Sequence, residues 1–519
     1  MRKAHEGGAM SSTRLGYAVV LVGCVAVFGV QSWWHWAFTV DDAYISFRYA
    51  RNLVEGHGLV FNEGERVEGY SNFLWVLLIA AAMKLGLPVE VTAKSLGILA
   101  GAGLIVAGAS LAQRLTTGGP AAGLWAAAVI ATLPSLAYWS VGGLETSLFA
   151  LLLSGGLLAW LCANNAPSAA GAGVLLALAS MTRPEGPLFL VGSAVARLIR
   201  ERRACVRAVG WYVGGFLLVA APWFAWRYWY YGQLLPNTFY VKNPTGWLPV
   251  RPGGLLYVES FLRSGPGLVF WGLLPLAVSP RLYLQGRAVE ALAPLVVYLV
   301  WVARVGDWMP EHRFLVPVVA MWASCSCAAL LTLWRRAHAY HARRGRIAGW
   351  SCGVAAVLLL GHSAAYSWTN RGEGGAPWAA ALRAAAVVRP GELVAVMDAG
   401  LIPYLTRCRT LDMMGLVSPE VLEQPVVIVS LPRPYLGKHR LPVRTGVVDL
   451  VMSRRPVLIQ THIGREADGF VASHPLDQLF LQEPRFRRGY VFIGDGCFVR
   501  ADRWRGRGAG RPTGGSSAG

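Results

Sequence analysis

Two adjacent carboxylates, Asp41 and Asp42, directly follow the first long apolar run of the chain, in the stretch TVDDAYISFRYARNLVEGHGLVFN. Neighbouring carboxylates repel each other, which raises the pKa of one of them unless a cation or a hydrogen bond compensates. A carboxylate tuned in this way can act as a general base, so we predict that Asp41 or Asp42 is catalytic. On this segment alone, the pair is better explained as the N-cap of an amphipathic helix lying on a membrane surface.

The residues behind this pair would lie on one face of such a helix. If the helix begins at Asp42, the carboxylates lie at its positive end, and Tyr44, Arg48 and Arg51 recur at helical spacing along one side. We predict that these three side chains contact a substrate.

Five further segments combine charged or polar groups with Gly and Pro beside apolar blocks: GERVEGYSNFLW, GGLETS, TRPEG, RYWYYGQLLPNTFYVK and RVGDWMPEHRFLVP. Arginine suits bidentate contact with phosphate, so several of their basic residues are predicted to hold one. Those residues are Arg183, Arg227, Lys242 and Arg313. The full set of predicted substrate-binding residues is Tyr44, Arg48, Arg51, His57, Glu68, Tyr70, Asn72, Glu145, Arg183, Glu185, Arg227, Asn237, Lys242, Asp307 and Arg313.

Composition indicates which kind of secondary structure carries these residues. The chain has 519 residues, of which 55% are hydrophobic and 15% charged, and its mean hydropathy is +0.43. A water-soluble protein of this length would need more charge to cover its surface. Apolar blocks of about 20 residues, the length that spans a hydrocarbon core, recur from Tyr17 to about Trp368. We therefore predict a polytopic α-helical membrane protein with about 11 transmembrane helices.

The formal net charge of +20 could suggest a nucleic-acid partner. The basic residues, however, lie in short loops between apolar blocks, as in residues 197–207 and 335–346, which is typical of positive-inside topology. We therefore predict no nucleic-acid partner, a bacterial inner-membrane location, a cytoplasmic segment over residues 1–16 and an outer loop over residues 39–70. The first block is too long for a cleavable signal and should remain as the first helix.

The topology of residues 70–199 stays open at this stage. If every apolar block crosses once, GGLETS faces the cytoplasm and TRPEG lies buried. If the block starting at Tyr70 only dips into the membrane, and the block Ala169–Ile199 forms two short spans, both motifs face outward. We favour the second arrangement because ionisable residues within the membrane usually line a protein cavity, which the charged residues of both motifs would share with Asp41.

The character of the chain changes after residue 368. Short β-branched runs, such as GELVAVMDAGLIPYL and YVFIGDGCFVR, are separated by Pro, Gly and charged residues. They predict a small extracytoplasmic α/β domain over residues 369–503, following a membrane domain over residues 17–368 and followed by a disordered tail over residues 504–519. Its two cysteines, Cys408 and Cys497, could form a disulfide or remain as buried thiols.

A sugar attached to a polyprenyl phosphate carries an anion, resides in a membrane and needs a base for its transfer. Its phosphate would be met by Arg or Lys, while Asp41 or Asp42 would deprotonate an acceptor hydroxyl that attacks the anomeric carbon with inversion. The predicted acceptor is a cell-envelope glycan, lipid or protein. No cofactor is predicted; the alternative is a divalent cation held by Asp41 or Asp42 together with Glu145.

The stretch DDAYISFRYARNLVEGHGLVFNEGERVEGYSNFLW resembles the first outer loop of GT-C glycosyltransferases, especially the group containing the terminal arabinofuranosyltransferases of mycobacterial cell walls. GGLETS, TRPEG, YYGQLLPNTFYVK, GDWMPEHRFLVP and DAGLIPYLTRCRTLDMMGL resemble later motifs of that group, in the same order. The resemblance implies that a first-loop acidic residue is the base, and that the carboxyl-terminal domain faces outward. The chain departs from the group at VGDW and at KHRLPVRTGVVD, which puts the sugar and the acceptor in doubt.

Two rival functions stay open. A transporter or flippase of lipid-linked sugars would need a path open to both faces, usually built from paired repeats with broken helices in matching positions, and only one broken block is present. A degenerate relative with a structural role would not need the intact carboxylate pair. The predicted function is therefore an integral-membrane glycosyltransferase.

Overall fold

The computed structural model describes residues 2–115, 119–242, 252–263, 286–306, 309–340, 377–435, 438–467, 469–472 and 474–505, with residues 361, 365, 366, 368 and 369. Asp307, the side chain of Lys242, the tail after residue 505 and most of the predicted last helix, residues 347–368, lie outside the described part. The chain divides into two compact units. The first comprises Met1–Ala43, Ser71–Leu234 and Trp247–Gly375, and the second comprises Tyr44–Tyr70, Leu235–Gly246 and Ala376–Gly519.

Helices dominate the first 340 residues. In chain order they are α1 (Arg2–Trp34), α2 (Asp41–Val54), α3 (Phe73–Lys84), α4 (Val89–Leu115), α5 (Gly119–Ala131), α6 (Pro134–Val141), α7 (Thr146–Cys162), α8 (Ala166–Thr182), α9 (Gly186–Glu201), α10 (Val206–Tyr231), α11 (Asn237–Lys242), α12 (Pro252–Arg263), α13 (Ala288–Val305) and α14 (Val316–Tyr340). Short 3-10 helices cover Arg202–Cys205 and Pro310–Leu315.

Several helices are long and apolar enough to cross a membrane. The described residues contain five such stretches by length and composition, or six if α5 and α6, bent by 60° at their junction, form one span. Four further apolar helices have 10 to 17 residues. By this criterion the described residues contain fewer spans than the predicted 11. The criterion leaves out the shorter helices, and the remaining residues were not searched.

The lengths of two elements bear on the open topology. Helix α3 has 12 residues, which gives it a rise of about 18 Å, well short of a hydrocarbon core of about 30 Å. Helices α8 and α9 are separated by Arg183, Pro184 and Glu185, where the residue before proline leaves the helical conformation. These lengths favour the arrangement in which the Tyr70 block only dips into the membrane, although the orientation of each element stays a prediction.

Helices α8 and α10 pack closely through glycines. A Cβ atom on Gly173 would lie 2.0 Å from the carbonyl oxygen of Tyr212, and one on Gly215 would lie 2.1 Å from that of Ala170. Small residues at such crossings let helix backbones approach, which is how helices commonly associate where no hydrophobic effect is available. The glycines Gly173 and Gly215 therefore set how closely α8 and α10 pack.

The second unit contains a five-stranded sheet with the order β2-β1-β5-β9-β8. Strand β1 pairs in parallel with β2 and with β5, whereas β9 is antiparallel to β5 and β8. These strands are β1 (Leu393–Val396), β2 (Arg409–Asp412), β5 (Leu458–Gln460), β8 (Tyr490–Gly494) and β9 (Cys497–Arg500). Two antiparallel hairpins join β3 (Val426–Tyr435) with β4 (Lys438–Arg444), and β6 (Ile463–Glu466) with β7 (Gly469–Ala472).

Helices pack on this sheet. They are α15 (Trp378–Val387), α16 (Leu401–Thr406), α17 (Val447–Arg454), α18 (Pro475–Gln482), α19 (Pro484–Gly489) and α20 (Ala501–Arg505), with a 3-10 turn at Pro419–Val421. One core is formed where the strand residues Ala395, Leu411 and Ile459 meet apolar residues of α17 and α18. These strands and helices form an α/β arrangement, while the domain bounds of 369 and 503 stay a prediction.

The second unit also includes residues that lie far upstream of that predicted domain in the sequence. The Arg48 guanidinium of α2 donates to the carbonyl oxygens of Phe61 at 2.8 Å, Pro403 at 2.9 Å and Cys408 at 2.6 Å. The loop predicted as part of the membrane domain thus packs, from residue 44 to residue 70, with the carboxyl-terminal residues. Cys408 and Cys497 are both buried free thiols, so the disulfide alternative is not realised.

Candidate active site

Glu145 is the centre of a buried charge cluster in the first unit. It lies in the turn between α6 and α7 and is 2% exposed. Its Oε1 accepts hydrogen bonds from Arg183 Nη1 at 3.2 Å and Arg313 Nη2 at 2.6 Å, and its Oε2 accepts one from Asn72 Nδ2 at 2.8 Å. Both carboxylate oxygens are therefore engaged by the protein.

Arg183 reaches this cluster from the break between α8 and α9. Its guanidinium also donates to Glu185, through Nε at 3.2 Å and Nη2 at 3.3 Å, which forms a bidentate pair two residues apart. The guanidinium carbon lies 4.5 Å from the ring centroid of Phe314. Pro184 ends the helix here, and this local geometry places the Arg183 guanidinium between the carboxylates of Glu145 and Glu185.

Arg313 comes from the 3-10 segment Pro310–Leu315, where Glu311 and His312 have positive φ angles of 57° and 47°. Its Nε donates to Thr146 Oγ1 at 3.0 Å, in addition to the Nη2 bond to Glu145. Backbone conformations of this kind are costly for residues other than glycine and persist only where surrounding contacts fix them. The bonds of Arg313 to Glu145 and Thr146 are contacts of that type.

The cluster is nearly balanced in charge, with two guanidiniums against two carboxylates. Burial alone would raise the pKa of Glu145, but Arg313, Arg183 and the hydrogen bond from Asn72 lower it overall. Glu145 is therefore ionised at neutral pH. Because Arg183 and Arg313 are each paired with a buried carboxylate, their charges are compensated within the protein.

The predicted catalytic pair, Asp41 and Asp42, is connected to this cluster through the backbone. The amide of Val40 donates to the carbonyl oxygen of Gly142 at 3.1 Å, so the residue before Asp41 is bonded to the turn that carries Glu145. Trp75 Nε1 donates to the next carbonyl of that turn, Gly143, at 3.1 Å. Asp41 and Asp42 are the first residues of α2, and both are partly exposed. Two ionisable groups thus begin a helix, beside a turn that is fixed from several sides.

The predicted site residues fall into two groups. The first unit holds Asp41, Asp42, Asn72, Glu145, Arg183, Glu185, Arg227 and Arg313, and the second holds Tyr44, Arg48, Arg51, His57, Glu68, Tyr70, Asn237 and the backbone of Lys242. Five of the first group, Asn72, Glu145, Arg183, Glu185 and Arg313, form one hydrogen-bonded cluster. Arg227 does not belong to it, since its Nη1 donates to the carbonyl of Leu234 at 2.8 Å.

The predicted residues of the second unit chiefly hold that unit together. Arg48 is 5% exposed and bonds three carbonyls, and Arg51 Nη1 donates to the carbonyl of Tyr404 at 2.7 Å. Asn237 Nδ2 donates to the carbonyls of Gly415 and Leu416, at 2.7 and 2.8 Å. His57 Nε2 lies 3.8 Å from Glu63 at the exposed end of the loop. These hydrogen bonds to backbone carbonyls explain why Arg48, Arg51 and Asn237 are polar, without requiring a substrate.

Sequence reasoning missed two kinds of residue. Thr146 was not singled out, although its hydroxyl orients Arg313 and it stands next to Glu145 in GGLETS. Asp412 was also missed: it is fully buried, and it accepts from the backbone amides of Met414 at 2.9 Å and Val417 at 3.1 Å. A carboxylate followed by a glycine-containing loop, DMMGL, was the available signal.

Metal ligands do not gather among the described residues, where no group of three or more His, Cys, Asp or Glu side chains could hold an ion. The cation alternative would also require Glu145 to give up bonds to Arg183, Arg313 or Asn72. The prediction that no cofactor is used stays a prediction.

Solved structures identify the class of fold. The crystal structure of ArnT from Cupriavidus metallidurans bound to undecaprenyl phosphate matches with a TM-score of 0.56 at 14% identity, over 78% of this chain and 89% of that chain. The archaeal oligosaccharyltransferase AglB from Archaeoglobus fulgidus, in complex with an inhibitory peptide and a dolichol-phosphate, matches with a TM-score of 0.56 at 12% identity, over 86% and 69%. At these identities the likeness concerns the fold alone, and it confirms a GT-C-like helical fold.

Curated relatives point to a particular group within that class. The terminal beta-(1->2)-arabinofuranosyltransferase of Mycobacterium tuberculosis is 29% identical over 363 residues, which cover 60% of this chain and 55% of that protein. The protein of the same name from Corynebacterium glutamicum is 27% identical over 366 residues, covering 62% and 52%. The chain thus spans about half the length of the curated relatives it matches. Residues 367–507 match a family model described as a domain of unknown function (DUF8728).

These relatives confirm the resemblance to terminal arabinofuranosyltransferases that the first-loop motif indicated. Together with the apolar helices, they indicate a multi-pass membrane protein.

Proposed function

We propose that this protein is an inverting membrane glycosyltransferase that moves a sugar from a polyprenyl-phosphate donor to a cell-envelope acceptor. The observation that carries the proposal is the bond between Val40 and Gly142, which fixes the start of the Asp41–Asp42 pair against the turn of Glu145. The names of the curated relatives support the reaction class. The lipid phosphates in the ArnT and AglB structures support the donor class.

In the proposed reaction, Asp41 or Asp42 takes the proton from an acceptor hydroxyl. The resulting oxygen forms a bond to the anomeric carbon of the donor sugar while the bond from that carbon to the phosphate oxygen breaks. The polyprenyl phosphate leaves with the electron pair, and the configuration at the anomeric carbon inverts. A positioned general base of this kind contributes roughly 10²-fold to 10⁴-fold to the rate.

The buried cluster acts as a positioning device in this proposal. A carboxylate pair at a helix start works as a base only if its backbone is held in place, and the turn of Glu145 is bonded to Val40, Trp75 and Asn72. Arg183 and Arg313 fix that turn through Glu145. If Arg183 or Arg313 binds the donor phosphate, it must give up some of its hydrogen bonds to Glu145. The doubly charged phosphate of the leaving group would then accept hydrogen bonds in place of Glu145.

The remaining parts of the proposal concern location and partners. The outer loop and the second unit lie on the outer face of a bacterial inner membrane, where lipid-linked sugars replace nucleotide sugars as donors. Arabinofuranose is the first donor sugar to test, because both curated relatives are named for its transfer.

The test is a transfer assay on the purified full chain. Radiolabelled polyprenyl-phosphate sugars are supplied one at a time with envelope extract, and label that moves to an acceptor is counted for wild type, Asp41→Asn and Asp42→Asn. The proposal expects transfer from at least one donor and its loss in at least one variant. If wild type consumes no donor but carries lipid-linked sugar across vesicle membranes, the protein is a transporter and the proposal is wrong.

A further inference from the structure

The sheet of the second unit has a topological switch point between β1 and β5. From β1 the chain passes through α16 to β2 on one side, whereas from β5 it passes through α18 and α19 to β8, a strand parallel to β5, on the other side. Parallel crossovers are right-handed, so the two connections leave the carboxyl ends of β1 and β5 towards opposite faces. In open α/β sheets, a crevice at this point is where ligands bind.

Polar side chains follow both strands at this edge. Asp398 comes two residues after the end of β1, and His462 comes two residues after the end of β5; the two strand ends, Val396 and Gln460, are paired in register. His462 Nε2 lies 2.9 Å from Asp398 Oδ2, and Gln460 Nε2 donates to the same oxygen at 2.9 Å. The side chains of Asp398 and His462 are each 32% exposed, so they are accessible while being held by the fold.

The surrounding groups fix this pair in place. The buried Gln460 side chain accepts from the backbone amides of Met397 at 2.9 Å and Asp398 at 3.0 Å. The buried carboxylate of Asp477 accepts from the backbone amide of His462 at 3.4 Å and from that of His474 at 3.2 Å. The scaffold is therefore built on both sides of the pair, as expected of a site rather than of a casual surface contact.

One carboxylate oxygen at this edge, Asp398 Oδ1, receives no hydrogen bond from the described residues. Both hydrogen bonds to this carboxylate go to Oδ2. The carboxylate disfavours an anionic ligand, and the excess of Lys and Arg over Asp and Glu in the second unit disfavours a cationic one. Among the described residues, the edge also lacks the third ligand that a metal ion would need. A neutral ligand rich in hydroxyl groups meets none of these objections.

We propose that Asp398 and His462 form a glycan-binding site at this switch point, with Asp398 Oδ1 accepting a hydrogen bond from a sugar hydroxyl. Resting on the proposed function, the glycan is the acceptor onto which the sugar is transferred. The site lies within residues 367–507, the region that matches a domain of unknown function.

The test measures glycan binding to the full chain in lipid nanodiscs, without donor. Arabinofuranose, mannose and glucose tetrasaccharides, free of phosphate and lipid, are titrated against wild type, Asp398→Asn and His462→Gln. The matched control is Asp449→Asn, which removes a carboxylate that is 78% exposed on the same unit. At least one tetrasaccharide should bind wild type and the control equally. Asp398→Asn should weaken this binding about tenfold or more, since the oxygen that accepts the sugar hydroxyl loses its negative charge.

The site is disproved if no tetrasaccharide binds, or if both variants bind as wild type does. A peptide that carries free amino groups is titrated in the same way. If only this peptide binds, and its binding depends on Asp398, the ligand is not a glycan. Thermal unfolding of each variant identifies any loss that reflects misfolding, and His462→Gln gives a second, independent readout.

Failure of this site and failure of the proposed function are distinguishable. If a tetrasaccharide binds through Asp398 while no donor sugar is ever transferred, the proposed function fails and the site stands. If sugar is transferred but Asp398→Asn leaves glycan affinity and acceptor KM unchanged, the site fails and the function stands.

Discussion

Glu145 is the residue on which the buried cluster depends, because it is the shared anion of Arg183 and Arg313. We expect Glu145→Gln to destabilise the protein by about 3 to 5 kcal/mol, the usual cost of removing one partner from a buried ion pair and leaving the other charge uncompensated. Thermal unfolding of the full chain, followed by intrinsic fluorescence, measures the effect.

Glu65→Gln is the matched control, since Glu65, whose side chain is 33% exposed, pairs at 2.7 Å with Arg409, whose side chain is 63% exposed. That surface pair should contribute no more than about 1 kcal/mol. Equal melting temperatures for the Glu145 and Glu65 variants would contradict the structural role given to Glu145.

Asp412 gives the second unit a dependence on pH. Burial raises the pKa of its carboxyl from 3.8 to about 6, against the opposing effect of several backbone amides. Since the folded pKa is above the unfolded value, the stability that Asp412 contributes is fully present below pH 4 and is lost as pH rises through 6. Compared with Asp412→Asn, wild type should lose about 3 kcal/mol of local stability between pH 4 and pH 7.

Hydrogen exchange of the β2 amides, measured for both proteins at each pH, tests this expectation because intrinsic exchange rates cancel in the comparison. A difference between wild type and Asp412→Asn that stays constant across this pH range would show that Asp412 does not titrate there.

Single residues differ in how far their roles could be read from sequence. The charges of GGLETS and TRPEG were predicted to share a cavity, and their side chains do meet, because Gly and Pro leave few ways to place them. Arg48 was predicted to contact substrate from its helical spacing alone. Its three carbonyl partners include Pro403 and Cys408, which lie more than 350 residues away along the chain. No local sequence pattern predicts such a contact.

Helices α8 and α10 cross at glycine positions, where the absence of side chains lets their backbones come close. Gly215→Ala should destabilise the pair by about 1 to 3 kcal/mol, because the new Cβ would lie 2.1 Å from the Ala170 carbonyl and must push the helices apart. Gly214→Ala is the matched control one residue earlier, where a Cβ meets nothing within 4 Å.

The control should be neutral or slightly stabilising, since alanine favours helix over glycine by roughly 1 kcal/mol. The two variants are compared by thermal unfolding in the same detergent. If they melt together, the close approach of α8 and α10 is not what holds this crossing.

Element types were easier to predict than element partners. Hydropathy indicated the apolar helices, and β-branched runs indicated the strands, because both signals are local. Strand order is not local: β1 lies between β2 and β5, and the switch point that follows from it could not be read from periodicity. For the same reason, Asp398 and His462 were not singled out, although DAG and THIG directly follow apolar runs.

The whole molecule raises the question of which face each motif occupies. If the Tyr70 block only dips into the membrane, Asn164, between α7 and α8, faces the cytoplasm; if every block crosses once, Asn164 faces outward. We expect a cysteine at Asn164 to be protected from a membrane-impermeant thiol reagent applied outside, and a cysteine at Glu63 to be labelled. Both positions are exposed in the structure.

Wild type carries native cysteines and serves as the background for this labelling. Ser147 and Ser180 are poorer reporters because both are buried. Labelling of Asn164→Cys from outside would support the topology in which every block crosses once, and would move GGLETS to the cytoplasm.

At this scale, the sequence predicted a helical membrane part and an α/β part, but not that residues 44–70 group with the carboxyl-terminal residues. Residues 44–70 were assigned to the membrane domain because they are flanked by apolar blocks. They pack instead with residues 403–417, through Arg48, Asn62 and the close approach of Gly69 to Val417. A composition shift along the chain locates where a domain begins, but not which earlier segment joins it.

The catalytic role of the carboxylate pair is measured by the rate of sugar transfer by Asp41→Asn and Asp42→Asn, each normalised to the amount of folded protein. We expect at least one of them to reduce kcat by roughly 10²-fold or more while unfolding at the wild-type temperature, because it removes a base from a partly exposed position and leaves the Glu145 cluster intact. Transfer at the wild-type rate by both variants would contradict this role.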